Sequence, residues 1–125
     1  MSKSIEPPPL SLPVKVRFVI HYHTGYGEPH FDVMIDLPAA DGLATWRSET
    51  WPLVDRGELV ALAPHRLEYL DHEGPTRSGK GEVKRVTRGE CDVEDDLVRF
   101  EAGGPWWRLG ARSVVVESPR EPEAD

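Results

Sequence analysis

Residues 14–37, VKVRFVIHYHTGYGEPHFDVMIDL, decide how the rest of the chain is read. Their apolar side chains recur at every second position, the spacing that shares one face of a β-strand. Val14, Val16, Phe18 and Ile20 share a face of the first half, and Phe31, Val33, Ile35 and Leu37 share a face of the second. A hairpin through Gly25 and Gly27 brings the second strand back beside the first. If the apolar rows face a core, His30, Asp32 and Met34 point together to the other side.

Outward from this hairpin the same pattern continues in short runs broken by Gly, Pro and Asp. Further strands are expected at 43–47, 58–62, 66–70, 81–87, 97–101, 106–109 and 113–117, with one helical turn within 51–57. No segment carries a helical stripe over ten residues. About nine short strands with frequent turn signals indicate an all-β fold, a small antiparallel β-barrel or a sandwich. Twelve prolines and eleven glycines fit that class better than a helical one. Trp46, Trp51, Trp106 and Trp107 are expected as core or end-plugs.

The 125 residues make a single domain, long enough to bury a core without disulfides. Residues 1–13, with four prolines, are expected as a flexible arm and residues 118–125 as a flexible acidic tail, leaving the domain at 14–117. The one cysteine, Cys91, rules out an intramolecular disulfide or a cysteine zinc cluster and makes a reducing cytoplasm the default. No apolar run approaches the roughly 20 residues needed to cross a bilayer, and no signal segment is evident. A net charge of −7 argues against general affinity for a nucleic-acid backbone. Locally the sign reverses: Arg77, Lys80, Lys84, Arg85 and Arg88 are opposed only by Glu82, a patch suited to one phosphate or a strand end.

The chemistry concentrates in residues 21–32, which hold three of the five histidines. An H-x-D pair on one strand face sets its Cα atoms about 7 Å apart, close enough for both side chains to converge on a cation. A third ligand must come from a neighbouring strand or loop, and both His21 and His23 end the preceding strand. Two imidazoles and one carboxylate with open positions suit Mn, Zn or Fe. His65, Leu67 and Tyr69 alternate onto one face of the expected strand at 66–70, with His72 just beyond. A histidine there is placed to act as a general acid or to hold a phosphoryl oxygen. HYHTGYGE also reads as H-x-H-x4-E, the first metal motif of cupins. A cupin needs glycine seven residues past the glutamate, however, and position 35 is Ile.

Residues 17–36, then LATWRS, then HRLEYLDHEGPTRSGKGEVKRVTRGECDV resemble the 3′-phosphoesterase domain of bacterial DNA ligase D, closest to its free-standing relatives. The likeness runs over about 17–93, with 107–116 as closing strands. It implies a compact β-barrel with a crescent groove. It also implies a manganese-dependent hydrolase of DNA repair that removes a 3′-terminal ribonucleoside and then the 3′-phosphate. Carried onto this chain, it implies that His23, His30 and Asp32 hold the metal, and that His65 and Tyr69 serve the phosphate. The implied partners are a nucleic-acid 3′ end, guided by Lys80, Lys84 and Arg85, and a repair ligase. The chain departs from the family pattern where an arginine is expected and Met34 stands. It departs again after Trp46, where Arg47 is the nearest substitute for an expected lysine.

Overall fold

The structure is a computed structural model that describes residues 13–38, 40–76 and 79–109, and the backbone of 114–115. The arm at 1–12, the tail at 118–125, Arg77, and much of the expected strand at 113–117 lie outside these residues. The fold is all-β, with nine strands and one short 3-10 turn among the described residues. In chain order they are β1 (Val14–Thr24), β2 (His30–Ile35), β3 (Leu43–Ser48), β4 (Glu58–His65), β5 (Gly74–Pro75), β6 (Glu82–Glu94), β7 (Leu97–Arg99), β8 (Trp107–Arg108) and β9 (Val114–Val115). Every pairing is antiparallel, and the sheet runs β8-β7-β6-β1-β2-β3-β4-β9, with β5 added beside β6. Among the described residues β8 and β9 do not pair, so the sheet is a half-barrel rather than a closed one. No helix among the described residues is long and apolar enough to cross a membrane.

The sheet curls because one face is apolar along its whole width. Phe18 and Ile20 of β1, Val33 and Ile35 of β2, Trp46 of β3, Leu59 of β4, Cys91 and Val93 of β6 and Val98 of β7 bury into one cluster. Leu59 and Val98 stand near opposite edges of the sheet, so only a curled sheet lets them share a core. Phe100 closes the open end by edge-on contacts with Phe18 and Trp51, each at 5.1 Å between ring centres. Of the four tryptophans Trp46 is buried in this core and Trp51 and Trp107 pack against it. Trp106 instead lies under the Arg99 guanidinium at 4.7 Å. Burial raises the Cys91 thiol to about 12, with the neighbouring Asp92 charge acting in the same direction.

Two expected elements differ. Residues 66–70 are not a strand. Leu67–Leu70 form a 3-10 turn held by Tyr69 N–H to Arg66 O at 3.0 Å and Asp71 N–H to Glu68 O at 3.1 Å. The alternation of Leu67 with Tyr69 was an accident of spacing; what this turn buries is Leu70, which caps the back of the sheet. Residues 51–57 form no helical turn either. Pro52 has no N–H to give, Arg56 adopts a positive φ of 66°, and Gly57 N–H closes a tight turn onto Val54 O.

The back of the sheet carries a second, smaller cluster of Val19, Met34, Leu43 and Leu70, with Tyr69 packed against it. Beyond Met34, toward the hairpin at 25–29, that face turns polar. This is where the histidines lie.

Candidate metal centre

Register assigns the polar face row by row. His21 pairs with Asp32 and His23 with His30 across β1 and β2; Asp32 in turn pairs with Arg47 of β3. On the other side of β1, a bulge between Ile20 and His21 shifts β6 so that His21 faces Arg85 and His23 faces Val83. Arg85, His21, Asp32 and Arg47 thus form one row across four strands, and Val83, His23 and His30 the next.

His23, His30 and Asp32 place one donor atom each within 4.8 Å of one another, and His30 and Asp32 are buried. The tautomers follow from the backbone. His30 Nδ1 lies 2.9 Å from the carbonyl of Glu28, and His23 Nε2 lies 2.6 Å from the carbonyl of Lys80. A carbonyl only accepts, so each of these nitrogens carries the proton and donates. In the neutral rings the other nitrogens, His30 Nε2 and His23 Nδ1, hold lone pairs. They stand 3.1 Å from Asp32 Oδ1 and 3.4 Å from Asp32 Oδ2. Asp32 Oδ1 is buried without a hydrogen-bond partner, so its approach to His30 is not a hydrogen bond. Three electron-pair donors converging in a buried place repel one another unless a cation lies between them. Donors around a single ion at bond lengths of about 2.0–2.2 Å stand roughly 3–3.5 Å apart, which is the observed carboxylate–imidazole spacing. Two nitrogens and one oxygen, with the opposite side open, fit Mn, Zn or Fe.

Glycine makes the support for His23 possible. Gly81 has φ +81°, and a Cβ on it would overlap Thr24 O. Its bare Cα also approaches to 3.2 Å of where a Gly25 Cβ would stand. That contact presses the loop before β6 onto the end of β1 and delivers the Lys80 carbonyl to His23. The tautomer that turns His23 Nδ1 toward Asp32 is therefore set by a residue on another loop, the kind of support that a ligating histidine would need.

A cavity of about 200 Å³ opens beside the cluster, lined by His21, His23, Asp32, His65, Tyr69, Thr76, Lys80 and Val83. His65 reaches it from the end of β4, with Nδ1–H donating to Ala63 O at 3.2 Å, which turns its lone pair to Nε2. Tyr69 arrives on the 3-10 turn and stands among three imidazoles, 5.7 Å from His65, 5.1 Å from His72 and 6.4 Å from His21 between ring centres. His21 is fully buried and its pKa falls to about 4, first through burial and then through the Arg85 charge; it is a neutral ring. A larger cavity of about 590 Å³ lies on the core face among Phe18, Trp51, Phe100 and Trp107. It gathers no ligating set, so the chemistry outweighs size in locating the site.

The structure thus brings His23, His30 and Asp32 together and sets His65, Tyr69 and Lys80 around the same cavity. It separates the basic residues of 77–88. Arg85 pairs with His21 and Lys84 with Tyr22, both line a groove with Phe31 that is separate from the cavity, and Arg88 is bound to Asp71 at 2.6 Å. Met34 is fully buried in the small back cluster and contributes no charge. The sequence left His21 open beside His23 as the third ligand and placed His72 only just past residues 66–70; in the structure His21 lines the cavity and His72 stands against Tyr69. For His21 the signal was there: it is in phase with His23, and the hairpin register sets it opposite Asp32. No family model and no curated protein matches this chain.

Proposed function

We propose that the chain is a divalent-metal-dependent phosphoesterase of DNA repair that acts on the 3′ end of a nucleic-acid strand. One observation carries the reading: two imidazole lone pairs and an unpartnered, buried carboxylate oxygen converge on one point beside a donor-rich cavity. His23, His30 and Asp32 hold the ion, with Mn2+ favoured by the likeness to the ligase D phosphoesterase domain and Zn or Fe as alternatives. When bound, such an ion polarises a phosphoryl oxygen and acidifies a bound water.

The chain's own groups do the rest. His65 Nε2 takes a proton, or once protonated delivers one to the leaving oxygen. Lys80 lines the cavity, and its ammonium, 5.6 Å from the centre of the Tyr26 ring, supplies positive charge to an approaching strand. Tyr69 keeps His65 in place by its edge-on ring contact. Arg47, one strand beyond Asp32, extends positive charge along the same row. A cytoplasmic location and a repair ligase as partner belong to the same reading.

The test offers Mn2+-loaded protein a primer ending in a 3′-ribonucleotide and one ending in a 3′-phosphate. Removal of the terminal group is expected, and His65→Ala should slow it about 10²–10⁴-fold with Mn2+ affinity unchanged. Full Mn2+ binding with neither primer processed overturns the catalytic reading. Met34 favours a second one, a module of the same fold that binds a strand end without cutting it. Mn2+ binding and tight retention of the unprocessed primer would support that module.

A further inference from the structure

The face of the β1–β2 hairpin opposite the histidines carries an aromatic pair that the core only half covers. Along that face Phe18, Ile20, Val33 and Ile35 are buried in the main cluster. One step past Ile20 and Val33, Tyr22 and Phe31 stand opposite each other, with ring centres 4.9 Å apart and planes tilted by 42°. Phe31 packs partly buried against the cluster, and Tyr22 is 36% exposed.

Register extends this pair into a row. Lys84 faces Tyr22 across β1 and β6, and Phe31 faces Ser48 of β3, with Glu49 directly after it. Lys84 and Glu49 therefore flank the two rings from opposite sides. A groove of about 470 Å³ opens here, walled by Tyr22, Phe31, Pro29 and Val86 and reached by both charges. Arg85 also lines it, but its Nη2 turns toward the Asp71 carbonyl at 3.4 Å. Lys84 and Glu49 are exposed, and neither has an ion pair among the described residues.

A cross-strand aromatic pair stabilises a hairpin by itself. That role does not account for a concave surface with an uncommitted cation on one side of the rings and an uncommitted carboxylate on the other. An open ring face takes a flat π system, Lys84 takes an anion, and Glu49, which only accepts, takes an N–H. A nucleotide offers all three, since every base has a π face and adenine, cytosine and guanine carry an amino group. A proline-rich peptide would cover the aromatic wall and leave both charges unmatched.

We infer that Tyr22, backed by Phe31, is a stacking platform for one base of a single strand, with Lys84 against its phosphate and Glu49 accepting from its amino group. Tyr22 lies between His21 and His23, and Phe31 between His30 and Asp32, so platform and metal cluster share one end of the hairpin. That the stacked strand is the one whose 3′ end is processed rests on the phosphoesterase reading; the platform does not. With one phosphate contact on a chain of net charge −7, affinity comes from stacking and varies only weakly with salt.

The experiment titrates metal-free, 15N-labelled full-length protein with a hexamer of deoxycytidylate, following backbone amide shifts at several salt concentrations. The amides of Tyr22, Phe31 and Lys84 should move, and log K should fall with log salt at a slope of about −0.7. Tyr22→Leu, which keeps an apolar contact for Phe31 and loses the ring, should weaken binding at least about tenfold, and Tyr22→Phe should stay within about threefold. Lys84→Gln should bring the salt slope close to zero. A thymidylate hexamer, which has no amino group, should bind more weakly than the cytidylate one, and Glu49→Ala should remove that difference. Asp32→Asn should bind the strand within about threefold of wild type while losing Mn2+, so the platform and the metal reading fail separately. Deoxycytidine monophosphate that binds as tightly as the hexamer overturns a strand as the occupant. Equal binding of the two hexamers by wild type overturns the part given to Glu49. No shift at the three amides with millimolar hexamer, or a Tyr22→Leu that titrates like wild type, overturns the proposal.

Discussion

The two faces of the β1–β2 hairpin are made from alternate residues of the same two strands, yet they obey different rules. On the core face Phe18, Ile20, Val33 and Ile35 are buried among apolar neighbours with nothing unmet. On the back, Val19 and Met34 continue that logic, and one row further His21 and Asp32 are just as buried but hold three polar atoms without partners. One face is arranged for stability. The other gives up stability within a single pair spacing, and that change of regime coincides with the candidate site.

The sharpest break of this comparison is Met34→Arg. A guanidinium there enters the dry cluster of Val19, Leu43 and Leu70 rather than the cavity, so it should cost about 3–5 kcal/mol in urea unfolding and restore no phosphate binding. A stable variant with tighter phosphate binding would mean that position 34 belongs to the site after all. Next in size, Ile35→Ala on the core face should cost about 2–4 kcal/mol and leave Mn2+ affinity within about threefold, measured by unfolding and calorimetry together. Gly81→Ala should do the reverse in emphasis. Its Cβ pushes the Lys80 carbonyl off His23, so Mn2+ affinity should fall about 10–100-fold through loss of the supporting hydrogen bond.

The smallest effect concerns pH, away from the site. Hydrogen bonds from Lys15 and Arg99 to Asp92, at 2.9 and 2.8 Å, hold its carboxyl below the ordinary Asp range near 3.9. A depressed folded pKa contributes stability that is present above the unfolded value and is lost as pH falls through the folded one. Thermal melts of Asp92→Asn and wild type should therefore converge below about pH 4 and separate above it, with wild type higher. Constant separation down to pH 2 would remove this ion pair as a source of acid sensitivity.

How much of this could be read beforehand depended on whether a residue's role was local. Alternation alone placed Phe31, Val33 and Ile35 inward and His30, Asp32 and Met34 together on the reverse, because a strand leaves each side chain only two directions. The all-β, antiparallel, barrel-like class followed from many short alternating runs; that the sheet is a half-barrel came from the structure. Residues 66–70 were misread as a strand because two positions of spacing cannot distinguish a strand from one 3-10 turn, and only the burial of Leu70 decides. Arg85 was read as a strand guide. That it faces His21 depends on the bulge in β6, and no pattern in GEVKRVTRGE announces an extra residue. The fate of Met34 needed the turn that covers it, which comes from a segment thirty-odd residues away in sequence.

The account stands most directly on whether the three converging donors hold an ion. Calorimetric titration of Mn2+ into wild type and Asp32→Asn decides it, with thermal melts of both metal-free proteins. Wild type should bind one ion. Asp32→Asn should bind at least about a hundredfold more weakly, a loss of about 2.8 kcal/mol, while its metal-free melting temperature is unchanged or higher because a buried, crowded charge is gone. Equal affinities in the two proteins, or a metal-free Asp32→Asn that melts far below wild type, would contradict it.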